Sequence, residues 1–213
     1  MKTETKILIG IFIFSLVLIL GAIFFLGKET KNVTSDTIVN IDYSKGQKIG
    51  SDSAKVKMVE YSDLQCPACK AVEPFVKQVR EKYKDNLQFV YKHFPLMQHP
   101  FARKAANFAE YAGTENKFWE IHDKLFETQD DWSKLSDPTE YFVKLGLQFG
   151  LDENKIKEAI SKLPYNKLID ENLAEGQRIG VDATPTIYIN NKKLILKSFS
   201  DIDAKIAQEL SAK

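Results

Sequence analysis

The stretch VEYSDLQCPAC, residues 59–69, decides the fold of this chain. It begins inside a β-type run at 55–61 and ends on two cysteines that are three positions apart. A helix is predicted directly after it, to about residue 84, because apolar residues recur there at helical spacing: Val72, Phe75, Val76 and Val79. A strand that stops just before Cys66, followed by a helix that starts there, places this cysteine at the helix N-terminus.

That position predicts the chemistry of the two thiols. Unpaired N–H groups and the helix dipole favour an anion at Cys66, so its thiol pKa should be lowered. Cys69 lies one turn further along, is expected to be more buried, and can close a disulfide with Cys66. Pro67 fits the first helical turn without losing a hydrogen bond. Ala68 completes the CxxC motif.

The motif by itself leaves three interpretations open: a redox pair, an incidental structural disulfide and a metal site. The chain has only two cysteines, too few for a secreted disulfide scaffold. A zinc site would need two further ligands. The three histidines, His93, His99 and His122, form neither HxxxH nor HExxH and are interpreted as structural. A copper or zinc carrier using Cys66 and Cys69 remains the alternative of a different class.

The rest of the chain predicts an α/β fold with a small mixed sheet and a helical insertion. A second strand is expected at 87–94, and a pair of strands near the C-terminal end at 186–190 and 193–196. Helices are predicted between and after them, at 100–113, 117–128, 138–150, 152–162, 166–180 and 201–212. The chain of 213 residues carries a net charge of +1, with no basic segment suited to nucleic acid.

Residues 7–26 form an uncharged apolar run long enough to cross a bilayer as a helix. A transmembrane anchor or signal-anchor is favoured over a cleaved signal peptide, because the run is long and no small-x-small cleavage site follows it. Residues 1–6 are then expected in the cytoplasm and 27–52 as a polar tether to a domain at 53–213. Flanking lysines are balanced, so the outward orientation of that domain rests on its expected chemistry.

Four blocks in sequence order resemble the DsbA-like branch of the thioredoxin superfamily. They are VEYSDLQCPAC, FVYKHFPLMQHPFARKAA, KFWEIHDKLF and IGVDATPTIYIN. The resemblance extends over about residues 56–210, which is nearly all of the predicted domain. The CxxC motif alone would indicate only a thioredoxin-like fold. The blocks at 89–106 and 117–126 indicate the DsbA-like branch, with a helical insertion at about 99–165.

The resemblance implies a role for each matching residue. Cys66 would be the attacking thiolate and Cys69 the resolving thiol. Pro185 would be a cis-proline beside the dithiol, and Thr184 would offer main-chain hydrogen bonds to an extended client peptide. Glu60 would be a buried acid beneath the site that relays a proton to or from Cys69. The alternative for Glu60 is an ordinary exposed charge on a strand.

The resemblance also implies disulfide formation in exported proteins by a membrane-held monomer. Its partners would be unfolded protein thiols and a quinone-linked membrane protein. No cofactor beyond the Cys66–Cys69 disulfide, and no metal, is expected. Ala68 stands where the strongest oxidants of the family have histidine, which implies a less oxidising pair. A reductase or isomerase therefore stays open as the alternative direction, although no separate dimerisation domain, common in isomerases, is present.

Overall fold

A five-stranded mixed sheet lies at the centre of the computed structural model, which describes residues 37–212. The strands are β1 (Gln47–Ile49), β2 (Val56–Ser62), β3 (Leu87–His93), β4 (Thr186–Ile189) and β5 (Lys192–Lys193). Their order across the sheet is β1–β3–β2–β4–β5. Strands β2 and β3 run parallel, and the other neighbouring pairs run antiparallel. The sheet is therefore mixed, as the sequence predicts.

Eight helices follow in the described residues. Helix α1 (Pro67–Lys82) connects β2 to β3. Five helices form the insertion after β3: α2 (Ala102–Thr114), α3 (Phe118–Glu127), α4 (Gln129–Trp132), α5 (Thr139–Gln148) and α6 (Glu153–Lys162). Helix α7 (Asn166–Arg178) leads back to β4, and α8 (Ser200–Ser211) is the last. Helix α6 is capped at its N-terminus, where the Asp152 side chain accepts a hydrogen bond from the Lys155 N–H.

The alternation of side chains along β2 determines which of them face Cys69 and the first helix. Val59 and Tyr61 pack into an apolar cluster on one face of the sheet, whereas Met58 belongs to the larger cluster on the other face. Glu60 shares the face of Met58, on which Cys69 and the first helix also pack. Because β2 has neighbours on both sides and β2 is covered on both faces, this carboxyl is fully buried.

The tether predicted at 27–52 is wrong for the part of it that the structure describes. Residues 37–52 are attached to the domain through β1, which pairs with β3, and through a main-chain hydrogen bond from Val39 to Asn191. Ile41 is buried in the smaller apolar cluster. This segment lacks a helical or strand-like pattern because its contacts are to residues far away in sequence. The predicted second arm of the hairpin, 193–196, is also shorter, pairing only as β5.

No helix among residues 37–212 is both long and apolar enough to cross a bilayer. The anchor predicted at residues 7–26, the cytoplasmic stretch 1–6 and the first part of the tether lie outside the described residues.

Candidate active site

The two cysteines lie where β2 gives way to α1. Cys66 is the N-cap residue of the helix, with extended backbone angles, and Pro67 takes the first helical position. The Cys66 main-chain N–H donates to the carbonyl of Asp63 over 2.9 Å, which closes a tight turn before the helix. Both cysteines are free thiols in this structure. Cys66 keeps 6% of its surface exposed beside the exposed Pro67 and Ala68, and Cys69 keeps none.

The surroundings of Cys66 stabilise its thiolate. The pKa of Cys66 is lowered to about 5, first by the hydrogen bond from the Cys69 thiol. The Thr184 side chain and the main-chain N–H groups of Cys69 and Ala68 contribute further, while burial opposes the shift. An imidazolium at position 68 is thus not required for a stable thiolate here. The helix N-terminus supplies the main-chain donors, as the sequence predicts, and the Cys69 thiol makes the largest contribution.

The surroundings of Cys69 have the opposite effect. Burial, its donated bond to Cys66 and the charge of nearby Glu60 raise the pKa of Cys69 well above its ordinary value. Burial likewise raises the pKa of Glu60 to about 7, against smaller lowering effects of Ser62 and Arg80. Neither carboxylate oxygen of Glu60 has a hydrogen-bond partner among the described residues. The interpretation of Glu60 as an exposed strand charge is therefore wrong.

The Thr184–Pro185 segment meets the Cys66 thiol through Thr184. The peptide bond between them is cis, as the resemblance predicts. The Cys66 thiol donates to the Thr184 carbonyl oxygen over 3.5 Å. This loop is the entry to β4, so the sheet brings together two segments that are 118 residues apart in sequence.

Three polar residues near the dithiol were not identified as functional from the sequence. Asp63 precedes the motif and donates its main-chain N–H to the Cys69 sulfur over 3.5 Å. His99, interpreted as structural, lies 2.7 Å from the Asp63 carboxylate. Gln129 on α4 donates its side-chain amide to the carbonyls of Leu64, over 2.8 Å, and Cys66, over 3.0 Å. Asp63 lies within the motif block, but no sequence pattern links His99 or Gln129 to it.

The other two histidines are buried and hydrogen-bonded to acidic side chains. His93 bonds Glu110 at 2.9 Å, and His122 bonds Asp123 at 3.0 Å. Glu73, His122 and Asp123 place three possible ligand atoms within 4.8 Å of one another. Arg80 lies among them, 3.3 Å from Glu73 and 3.8 Å from Asp123. Its guanidinium already supplies the positive charge that two carboxylates need, so this cluster is explained without an ion.

A buried dithiol at a helix N-terminus, opposite a cis-proline and above a buried acid, defines a thioredoxin-fold dithiol protein. A thioredoxin family model matches residues 43–208, which is most of the chain. The chain belongs to the thioredoxin family, in its branch of DsbA-like thiol–disulfide oxidoreductases. The resemblance seen in the sequence is thereby confirmed.

Individual relatives agree with this placement. Disulfide bond formation protein D of Bacillus subtilis is 29% identical over 184 residues, which covers 79% of each chain. The crystal structure of oxidised BdbD from Bacillus subtilis superimposes with a TM-score of 0.73 at 25% identity, covering 83% of this chain and 98% of that one.

A third similarity covers most of this chain but only a small part of the related protein. The Na(+)/H(+) antiporter NhaA 1 of Mycolicibacterium gilvum is 32% identical over 154 residues, which are 72% of this chain but 24% of the antiporter. This chain spans about a quarter of the length of that relative. The similarity therefore concerns one part of that protein.

Proposed function

We propose that this chain is a thiol–disulfide exchange enzyme that introduces disulfide bonds into exported proteins through Cys66 and Cys69. The observation that carries the proposal is the difference between the pKa values of the two thiols. The pKa of Cys66 is lowered to about 5 and that of Cys69 is raised well above its ordinary value, although they are one helical turn apart. One cysteine is thereby suited to attack and release, and the other to remain protonated until it is needed.

The reaction follows from this separation. A client thiolate attacks the Cys66 sulfur of the oxidised enzyme, the Cys66–Cys69 bond breaks, and Cys69 receives the electron pair and a proton. A second client thiolate then attacks the client sulfur of the mixed disulfide, and Cys66 leaves as its stable thiolate. The client loses two electrons and two protons in all: the enzyme takes up both electrons, Cys69 takes up one proton, and the other goes to solvent because Cys66 remains a thiolate. Glu60, with its pKa raised to about 7, can exchange the proton with Cys69 near neutral pH.

The stability of the Cys66 thiolate in the reduced enzyme supports the oxidising direction of exchange. Oxidising power rises with the stability of the thiolate in the reduced enzyme. Ala68 predicts a weak oxidant, but hydrogen bonds from Cys69, Thr184 and the helix N-terminus stabilise the Cys66 thiolate without a histidine. The name of the Bacillus subtilis relative, a disulfide bond formation protein, points the same way. We therefore favour an oxidase over a reductase or isomerase.

The setting is part of the proposal. Clients would be unfolded or partly folded protein thiols, docked along the main chain of Thr184 beside Pro185. The enzyme would act as a monomer outside the cytoplasm, held by residues 7–26 as an uncleaved anchor. A quinone-linked membrane protein would reoxidise the dithiol. The copper or zinc carrier is disfavoured, since no third ligand atom from a histidine or carboxylate groups with the cysteines in residues 37–212.

The deciding experiment measures the Cys66–Cys69 equilibrium against glutathione together with the pH profile of Cys66 alkylation. We expect an alkylation midpoint near pH 5 and a disulfide that glutathione reduces readily. An equilibrium like that of cytosolic thioredoxins, near −270 mV, would instead indicate a reductase. Stoichiometric copper or zinc that is lost in Cys66→Ser would indicate the carrier.

A further inference from the structure

A cluster of hydrogen bonds converges on Asp63, three residues before the reactive thiol. Its carboxylate is buried and accepts three donors. One oxygen accepts the Gln65 N–H over 2.7 Å, and the other accepts the Leu96 N–H over 2.8 Å. The imidazole of His99 completes the set at 2.7 Å. A carboxylate held by three donors has little freedom to rotate, so the main chain of Asp63 is fixed as well.

The main chain of Asp63 contacts both cysteines. Its carbonyl accepts the Cys66 N–H over 2.9 Å, and its N–H donates to the Cys69 sulfur over 3.5 Å. A donor aimed at sulfur stabilises the thiolate more than the thiol. Asp63 therefore offers Cys69 the stabilisation that its burial otherwise denies it.

His99 comes from a different part of the chain. It lies in the loop between β3 and α2, which a second bond also ties to the dithiol turn, since Gln65 accepts the Phe101 N–H over 2.7 Å. The His99 side chain is 17% exposed, and the Asp63 side chain is not exposed at all. Because the Asp63 carboxyl oxygens already accept two main-chain N–H groups, Nδ1 of His99 is the donor of the third hydrogen bond.

We propose that His99 is a positioning residue for the resolving thiol: by fixing the Asp63 carboxylate, it holds the Asp63 N–H on the Cys69 sulfur. The inference rests on the proposed function and adds a residue from the β3–α2 loop to its machinery. It gives that loop a role beyond packing, because the loop acts through Asp63 on a group that takes part in the reaction.

The step affected is the first attack on the oxidised enzyme. An incoming thiolate forms a bond to the Cys66 sulfur, the Cys66–Cys69 bond breaks, and the electron pair leaves on Cys69. A leaving thiol with a lower pKa departs faster. Loss of the Asp63 N–H bond should therefore slow this step while leaving the attacked sulfur unchanged. Asp63 is not among the main groups that lower the pKa of Cys66 in the reduced enzyme.

The test compares the full chain with His99→Ala, His99→Asn and Gln98→Ala. The first measurement is the rate at which dithiothreitol reduces the oxidised protein, and the second is the pH midpoint of Cys66 alkylation in the reduced protein. We expect His99→Ala to slow reduction about threefold, the effect of losing most of one net hydrogen bond. Its Cys66 midpoint should match that of the unaltered chain.

The other two variants separate positioning from general damage. Asparagine offers an N–H close to the place of Nδ1, so His99→Asn should restore most of the rate even if His99→Ala folds poorly. Gln98 is an exposed neighbour on the same loop, and Gln98→Ala should change neither measurement.

Two results would overturn the inference: a His99→Ala rate equal to that of the unaltered chain, or a slower rate accompanied by an equal shift of the Cys66 midpoint. A slow His99→Asn variant would also count against it. If the unaltered chain fails to react with dithiothreitol through Cys66, the proposed function itself is wrong.

Discussion

The rim and the floor of the active site shift the pKa of a thiol in opposite directions. The rim consists of Cys66, Thr184 and Pro185, and there hydrogen bonds, first the one from the Cys69 thiol beneath, lower the pKa of Cys66 to about 5. The floor consists of Cys69 and Glu60, where burial dominates and raises both pKa values. The difference shows that a spacing of three residues is enough to give two thiols very different pKa values, provided that one lies at the helix end and the other beneath it.

The largest expected effect comes from removing one sulfur at a time. Cys66→Ser removes the thiolate of the rim, and exchange should fall to the uncatalysed background, a loss on the order of a thousandfold or more. Cys69→Ser keeps the attacking sulfur but lacks the resolving one, so mixed disulfides with clients should accumulate. Mass spectrometry of adducts under non-reducing conditions measures both. Adducts on Cys69 in the Cys66→Ser variant would break the distinction between rim and floor.

The next effect concerns how much the buried carboxyl of Glu60 lowers the free energy of unfolding. In the folded chain Glu60 holds its proton up to about pH 7, whereas its ordinary pKa is 4.5. The folded chain then binds more protons between these values, so stability falls as pH rises from about 4.5 to 7 and the penalty is complete above that. The shift corresponds to about 3 kcal/mol. Glu60→Gln should therefore raise the free energy of unfolding by up to this amount at pH 8 and hardly at pH 4.

Denaturant unfolding at the two pH values measures this gain. Glu81, an exposed glutamate on α1, supplies the matched control, and Glu81→Gln should leave stability nearly unchanged at both. A gain in Glu60→Gln that is equal at pH 4 and pH 8 would contradict a raised carboxyl pKa on the floor. The same variant should slow exchange near neutral pH if the carboxyl transfers the proton of Cys69.

The smallest expected effect comes from adding one more stabilising group next to the Cys66 thiolate. Ala68→His would place an imidazole next to the Cys66 thiolate, and its charged form should shift the equilibrium with glutathione towards the dithiol by up to about tenfold. The same change one turn further, Ala71→His, lies on an exposed position and serves as control. Equal shifts in the two variants would show that a general positive charge, and not contact at the rim, is responsible.

The sequence predicted the rim better than the floor and its supports. The CxxC motif after a strand gives the position of Cys66, because helix starts and strand ends are local patterns. The buried state of Glu60 was open, since burial depends on β3 and β4 flanking β2. His99 and Gln129 were missed because their contacts to the motif span 36 and 63–65 residues. Strand β1 was missed for the same reason, since its partner is β3.

The partners of Cys66 also have a consequence for the order in which the enzyme matures. A chain that is made from its N-terminus presents Cys66 long before Thr184, which follows 118 residues later and accepts a hydrogen bond from its thiol. Gln129, which holds the carbonyl of Cys66, arrives 63 residues after it. Until both are in place, Cys66 lacks two of its contacts, although Cys69 and the main-chain N–H groups that lower its pKa follow it directly in the chain. The site is then completed late in synthesis, after the helix end that stabilises the thiolate.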